Sequence, residues 1–116
     1  MNIYDKAHEF ARELGKCDEV VKLKEASKKI EGDESSRKIL DDFRKLQIEA
    51  YTQHMQNGSV SEEIQEKLRN IGTVISMNAS VSEYLQAEQR FSIMWDDVLK
   101  ILNDAIGIDF TFGMNK

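Results

Sequence analysis

The sequence has no proline, a single cysteine, a single tryptophan and two histidines among its 116 residues, and only six glycines. Without proline, no position is forced to break a helix by lacking a backbone donor, and every glycine except Gly72 falls between helical patterns or in the tail. The composition therefore favours uninterrupted helices and disfavours a sheet. A lone Cys17 excludes an internal disulfide and a cysteine-rich metal site within one chain. Its place just before a helix N-terminus could lower a thiol pKa, but no base accompanies it, so a plain structural cysteine is expected. The histidines are too few for carboxylate-bundle metal chemistry: Asp5 and His8 are spaced D-x-x-H, yet such sites need two Glu-x-x-His repeats and further inward carboxylates. The fragment HEFAR from His8 lacks the second histidine of a zinc-protease helix. His54, at the edge of an apolar face, is expected to be partly buried and structural. No run approaches the ~18 apolar residues of a membrane span. The opening MNIYDKAHEF carries charge where a signal peptide needs an apolar core, so a cytoplasmic protein with no membrane insertion is expected. No glycine-rich phosphate loop, Ser-His-Asp set or aromatic nucleic-acid platform is present, and nothing points to an enzyme or a cofactor. The net charge of −5 argues against direct nucleic-acid binding.

What the chain has is helical periodicity, strongest from Ser80 to Ile106. Tyr84, Glu88, Phe91, Trp95, Val98, Leu102 and Ala105 recur at steps of four and three, which places them on one helix face. Leu85 and Leu99 flank this stripe on one side, Met94 and Ile101 on the other. The apolar arc spans roughly 200°, twice what a surface helix needs, so this helix requires neighbours on more than one side.

Four helices precede it. Asn2 caps a first from about Ile3 to Leu14, with Ile3, Ala7, Phe10 and Leu14 on one face and Gly15 as its stop. Asp18 caps a second to about Glu31, burying Val20, Leu23, Ser27 and Ile30, ended by Gly32. Its Lys22, Lys24, Lys28 and Lys29 are interleaved with Glu19, Glu25 and Glu31, the pattern of a solvated mixed-charge face. Asp33 caps the third, about Glu34 to Asn57, stopped by Gly58. Its primary stripe is Ile39, Phe43, Leu46 and Ala50; Leu40, Ile48, Tyr51 and Met55 form a second. Ser59 with Glu62 is a capping box for the fourth, with Ile64, Leu68, Ile71 and Ile75 on a narrow stripe. Ser80 with Glu83 repeats the box and opens the last helix, which Gly107 ends. In the tail, Ile108, Phe110 and Phe112 alternate with polar residues, and such bulky groups are expected to dock on the bundle or a partner.

The two long helices, at 1.5 Å per residue, are ~36–39 Å long, longer than the ~35 Å diameter of a compact globule of this chain length. The expected fold is all-α: one helical domain over 1–116, with 106–116 as a C-terminal tail, built as an elongated bundle of about five helices. Its two wide apolar arcs exceed what three shorter helices can cover, and a homodimer through the long helices is the expected solution.

Glu88 breaks the apolar arc. A buried carboxylate must be paired or protonated, so an ion pair or hydrogen bond to Tyr84 or to an arginine of another helix is expected; a polar binding spot is the functional alternative.

The segment YLQAEQRF, Tyr84 to Phe91, resembles the signature helix of the YlbF/YmcA family of small helical proteins from Gram-positive bacteria, with the fit closest to its YheA branch. The opening IYDKAHEFARELGKCDEVVKLKEA and DESSRKILDDFRKLQ, with Phe43, Arg44 and Gln47 in register, agree with it, so the resemblance covers nearly the whole chain. It implies an all-helical, dimeric fold without enzymatic activity. Relatives act as accessory factors of a membrane-anchored ribonuclease in mRNA processing and are needed for competence, sporulation and biofilm formation. They carry cysteines proposed to hold iron–sulfur clusters; with only Cys17 here, that role does not carry over. The expectation is a cytoplasmic, non-enzymatic adaptor, a homodimer that binds a protein partner, such as one of the RNA-processing machinery, with Glu88, Arg90, Arg44 and Trp95 as the structural or interaction residues. The alternative is a small-ligand or metal-binding helical protein using the cleft around Glu88.

Overall fold

A computed structural model describes residues 2–107. They form five helices and no strand: α1 (Ile3–Lys16), α2 (Asp18–Glu31), α3 (Glu34–Asn57), α4 (Glu62–Ser76) and α5 (Ala79–Ile106). The tail from Ile108 on lies outside the described residues.

Most boundaries carry a side-chain or backbone cap, and four differ from the sequence expectation. Helix α1 runs through Gly15 to Lys16 and stops where Cys17 turns extended, its N–H bonding the Leu14 carbonyl at 3.2 Å. Cys17, not Asp18, is the residue before α2; Asp18 is already helical and lies with Glu19 in the first turn, where carboxylates oppose the helix dipole favourably. The α4 cap is Ser61, not Ser59: its side chain accepts the Ile64 N–H at 3.3 Å, and its own N–H donates to the Gln53 side chain at 2.8 Å. Helix α5 is capped by Asn78, not Ser80, through the Val81 N–H at 3.0 Å. Gly58 (φ 77°) and Gly107 (φ 72°) end α3 and α5 in the left-handed region, as glycine permits without a Cβ clash.

The packing consists of two helix pairs. Lys29 of α2 meets Glu83 of α5, and Lys22 shares a groove with Arg90, so the two helices run antiparallel. Buried Ala26 and Ala87 let them approach closely, with Ile30 beside them. Helices α3 and α4 form the second pair, in which Ile64 is buried and Leu68, Ile71 and Ile75 are half-buried. Pairs join at one end, where Val81 and Ser36 are fully buried.

The result is a plate of 55 × 39 × 16 Å, elongated as its long helices require. A plate that thin has little room for a core between layers. Among the described residues, only Ala26, Ile30, Ile64, Val81 and Ala87 are buried apolar residues. Much of the expected core is uncovered as a consequence. In α2 only Ile30 of the expected set is fully buried, and Ala26 takes the inner position. In α1 no residue is buried, and Ile3 and Phe10 are exposed. In α3 the stripe Ile39, Phe43, Leu46 and Ala50 is half-buried, whereas Ile48, Tyr51 and Met55 face solvent. His54 is exposed rather than partly buried: the start of α4 meets this end of α3 at Gln53, about 100° around the helix from His54.

Candidate functional site

Two polar nodes tie α3 to α5. The first is at the helix starts. Ser36 donates to Asp33 Oδ2 at 2.7 Å and accepts from the Asn78 amide at 3.3 Å, while Asp33 and Asn78 each cap a helix N-terminus. One buried hydroxyl thus joins the caps of two helices. The Ser36 hydrogen bond, helped by backbone donors from Ser35 and Ser36 and by the Arg37 charge, holds the Asp33 carboxyl below its ordinary pKa. Sequence reasoning identified Asp33 as a cap but not this connection, whose only signal was that a second cap-forming residue, Asn78, precedes α5.

The second node is Arg44 with Glu88. The Nη2 of Arg44 donates to both carboxylate oxygens, at 2.6 Å to Oε1, and Nη1 donates to Gln47 at 3.2 Å. Tyr84 lies one turn before Glu88; its hydroxyl pKa is raised, first by burial and then by the Glu88 charge. The Glu88 bond in turn raises the pKa of Arg44. Both side chains remain about one-third exposed, at 36% and 34%. The carboxylate that interrupts the apolar arc therefore faces an arginine of another helix.

Of the four residues singled out from sequence, Arg44 and Glu88 are brought together. Trp95 sits two turns further on the same stripe, half-buried, its ring stacked on Phe91 with centroids 6.1 Å apart. Arg90 is separated from them. Two residues beyond Glu88, it points to the other side of α5, into a groove of about 290 Å³ with Lys22, Lys29 and Glu83. The lysines of α2 are solvated there, Lys22 paired with Asp18 and Lys29 with Glu83, both at 3.2 Å.

A different groove, of about 500 Å³, runs between α3 and α4. Ile39, Leu46, Ile71 and Val74 supply its apolar lining, and Asp42, Lys45, Lys67 and Asn70 its polar one. Among the described residues, no cluster of three histidine, cysteine or acidic side chains is placed to hold a metal ion. No described helix is long and apolar enough to cross a membrane.

Comparison with known proteins adds the lineage. A family model described as "Control of competence regulator ComK, YlbF/YmcA" matches residues 3–107. A UPF0342 protein of Clostridium tetani is 49% identical over 116 residues, covering 100% of both chains. Another from Clostridium novyi is 51% identical over 110 residues, covering 95% of this chain and 96% of its own. Among solved structures, a chain from the crystal structure of Bacillus subtilis RicA in complex with RicF is similar in fold, with a TM-score of 0.60 at 20% identity over 90% of this chain and 93% of that one. By the family match over nearly its whole length and these full-length relatives, the chain belongs to the YlbF/YmcA family and resembles its UPF0342 proteins.

Proposed function

We propose that this protein is a non-enzymatic cytoplasmic adaptor that binds another protein through its helix faces, in RNA processing or in developmental regulation such as competence, sporulation or biofilm formation. The observation that carries the proposal is the α3/α4 groove, whose open apolar lining and mixed-charge surround suit an amphipathic helix laid along it. The amphipathic α1, which buries none of its residues, is a second uncovered surface on the same molecule. An adaptor needs more than one such surface. The family's description as a control of competence, and a similarly folded chain crystallised in a complex of two proteins, support the same reading.

The test is affinity capture from cell lysate with the wild-type chain and with Val74→Glu, which puts a charge into the groove at a residue already 45% exposed. A protein captured by the wild type and lost with the folded variant is the expected result. Capture of RNA alone, with steeply salt-dependent affinity, would replace the adaptor by a direct RNA binder. A small molecule or metal retained through purification would replace it by a ligand-binding protein.

A further inference from the structure

The α3/α4 groove has two unlike ends. Gln53 of α3 bonds the Ser61 N–H of α4, and the helices run antiparallel from there, so each step back along α3 matches a step forward along α4. Lys45 and Leu46 therefore stand level with Lys67, and Ile39 with Val74, to within about 3 Å. From Ile39 to Leu46 the apolar floor is ~10 Å long, two turns of a helix laid on it. One end carries a lysine on each wall. The other, at Ile39 and Val74, is apolar.

The lysines are the uncompensated charges of this groove. Its one lining acid, Asp42, is engaged with Lys38 at 3.4 Å, which lies outside the lining. Lys67 pairs with Glu63 at 3.2 Å, but both side chains are more than half exposed, so solvent screens that pair and a ligand carboxylate can replace it. Lys45 is exposed and has no ion-pair partner among the described residues.

We infer that the groove takes an amphipathic helix of another protein that carries acidic residues beside its apolar stripe, with those acids between Lys45 and Lys67. Its apolar side chains at i, i+3 or i+4, and i+7 fit the two-turn floor, and their burial supplies affinity. Charge supplies the choice: acids meet two cations, whereas a helix flanked by lysine or arginine would set like charges against Lys45 and Lys67. A helix laid with its C-terminus at the lysine end adds the negative end of its dipole there. The chain's own amphipathic helix is a poorer occupant. On α1, Lys6 and Glu13 both flank the Phe10 stripe, so it brings no excess of acid.

The net charge of −5 makes this preference a discriminating one. Long-range attraction by the whole chain would favour a basic helix, and only contact with the groove lysines favours an acidic one. At physiological salt the Debye length is ~8 Å, so charges beyond the groove are screened more than those that touch.

This inference rests on reading the groove as protein-binding, but its test uses defined probes. Two synthetic helices of ~18 residues, long enough to hold their structure, share one leucine stripe, flanked by glutamate in the first and by lysine in the second. Fluorescence anisotropy with the full wild-type chain should show the glutamate helix binding about tenfold tighter, with the gap narrowing as salt is raised. Lys45→Glu with Lys67→Glu should reverse the preference, and Lys45→Gln with Lys67→Gln should abolish it. Lys24→Glu with Lys28→Glu on α2 changes the net charge as much as the first pair and should leave the preference in place. Val74→Glu should weaken both helices, with circular dichroism showing each variant helical. Equal binding of the two helices, or a preference for the lysine one, overturns the inference and leaves the adaptor reading to its own capture experiment. So does binding of neither helix. Polyglutamate bound as tightly as the glutamate helix overturns it as well, because the apolar floor would then take no part. A self-association of the wild type that Val74→Glu abolishes would give the groove to a second copy and overturn it too.

Discussion

Replacing Glu88 by glutamine keeps the side-chain shape and removes the charge from the half-buried bond to Arg44. The size of the effect lies between two limits. Exposed ion pairs contribute ~0–1 kcal/mol, whereas breaking a buried one by removing a single partner costs ~3–5 kcal/mol. Here both side chains are about one-third exposed, and both carboxylate oxygens share one guanidinium nitrogen instead of forming a parallel two-nitrogen fork. Solvent screening and this geometry pull the value toward the lower limit. Because Gln47 remains a partner for Arg44, the guanidinium is not orphaned. A loss of about 1–2 kcal/mol is expected, which for a domain of this size lowers the melting temperature by ~4–8 °C. The assay is a double-mutant cycle of Glu88→Gln, Arg44→Gln and the double variant by chemical denaturation. All four proteins are held at one protomer concentration, since any association would make apparent stability depend on it. A coupling energy within the ~0.3–0.5 kcal/mol scatter of independent sites would refute a register-fixing pair. A fully stable Glu88→Gln protein that loses its captured partner would instead make Glu88 part of a binding site.

Three further outcomes follow from the same geometry. Ser36→Ala should cost ~1–3 kcal/mol in urea denaturation, because it strips a fully buried hydroxyl from between Asp33 and Asn78. The Asp33 carboxyl has a lower pKa folded than unfolded, so its contribution to stability is complete above the ordinary value of 3.8 and is lost as pH falls through the depressed one; an acid titration of stability should lose that component in Asp33→Asn. Trp95→Ala, which removes a half-buried ring stacked on Phe91, should cost about 2 kcal/mol, less than the ~3–5 kcal/mol of a fully buried aromatic; a loss of the full amount at concentrations where the protein is monomeric would show that the ring is covered within one chain.

The helices were legible because their signals are local. Asp33 before α3 and the glycines at 58 and 107 act through hydrogen bonds and backbone angles spanning a few residues, and α3 has the bounds that these residues predict. Where capping residues lie close together, as with Ser59 and Ser61 or Asn78 and Ser80, local chemistry does not choose among them. The choice came from distant partners: Gln53 engages Ser61, and Ser36 engages Asn78.

From the sequence alone came the helical class, the elongation imposed by two long helices, the need of Glu88 for a polar partner, and apolar arcs too wide for their own neighbours. Only the tertiary structure decided that the partner is Arg44, that Arg90 shares a groove with Lys22 and Lys29 of α2, and which parts of the arcs stay uncovered. Periodicity records that a face is apolar, but not what lies opposite it. That depends on helix direction and separation, and here α3 and α5, joined at Ser36–Asn78 and Arg44–Glu88, carry their stripes into solvent beyond those ties.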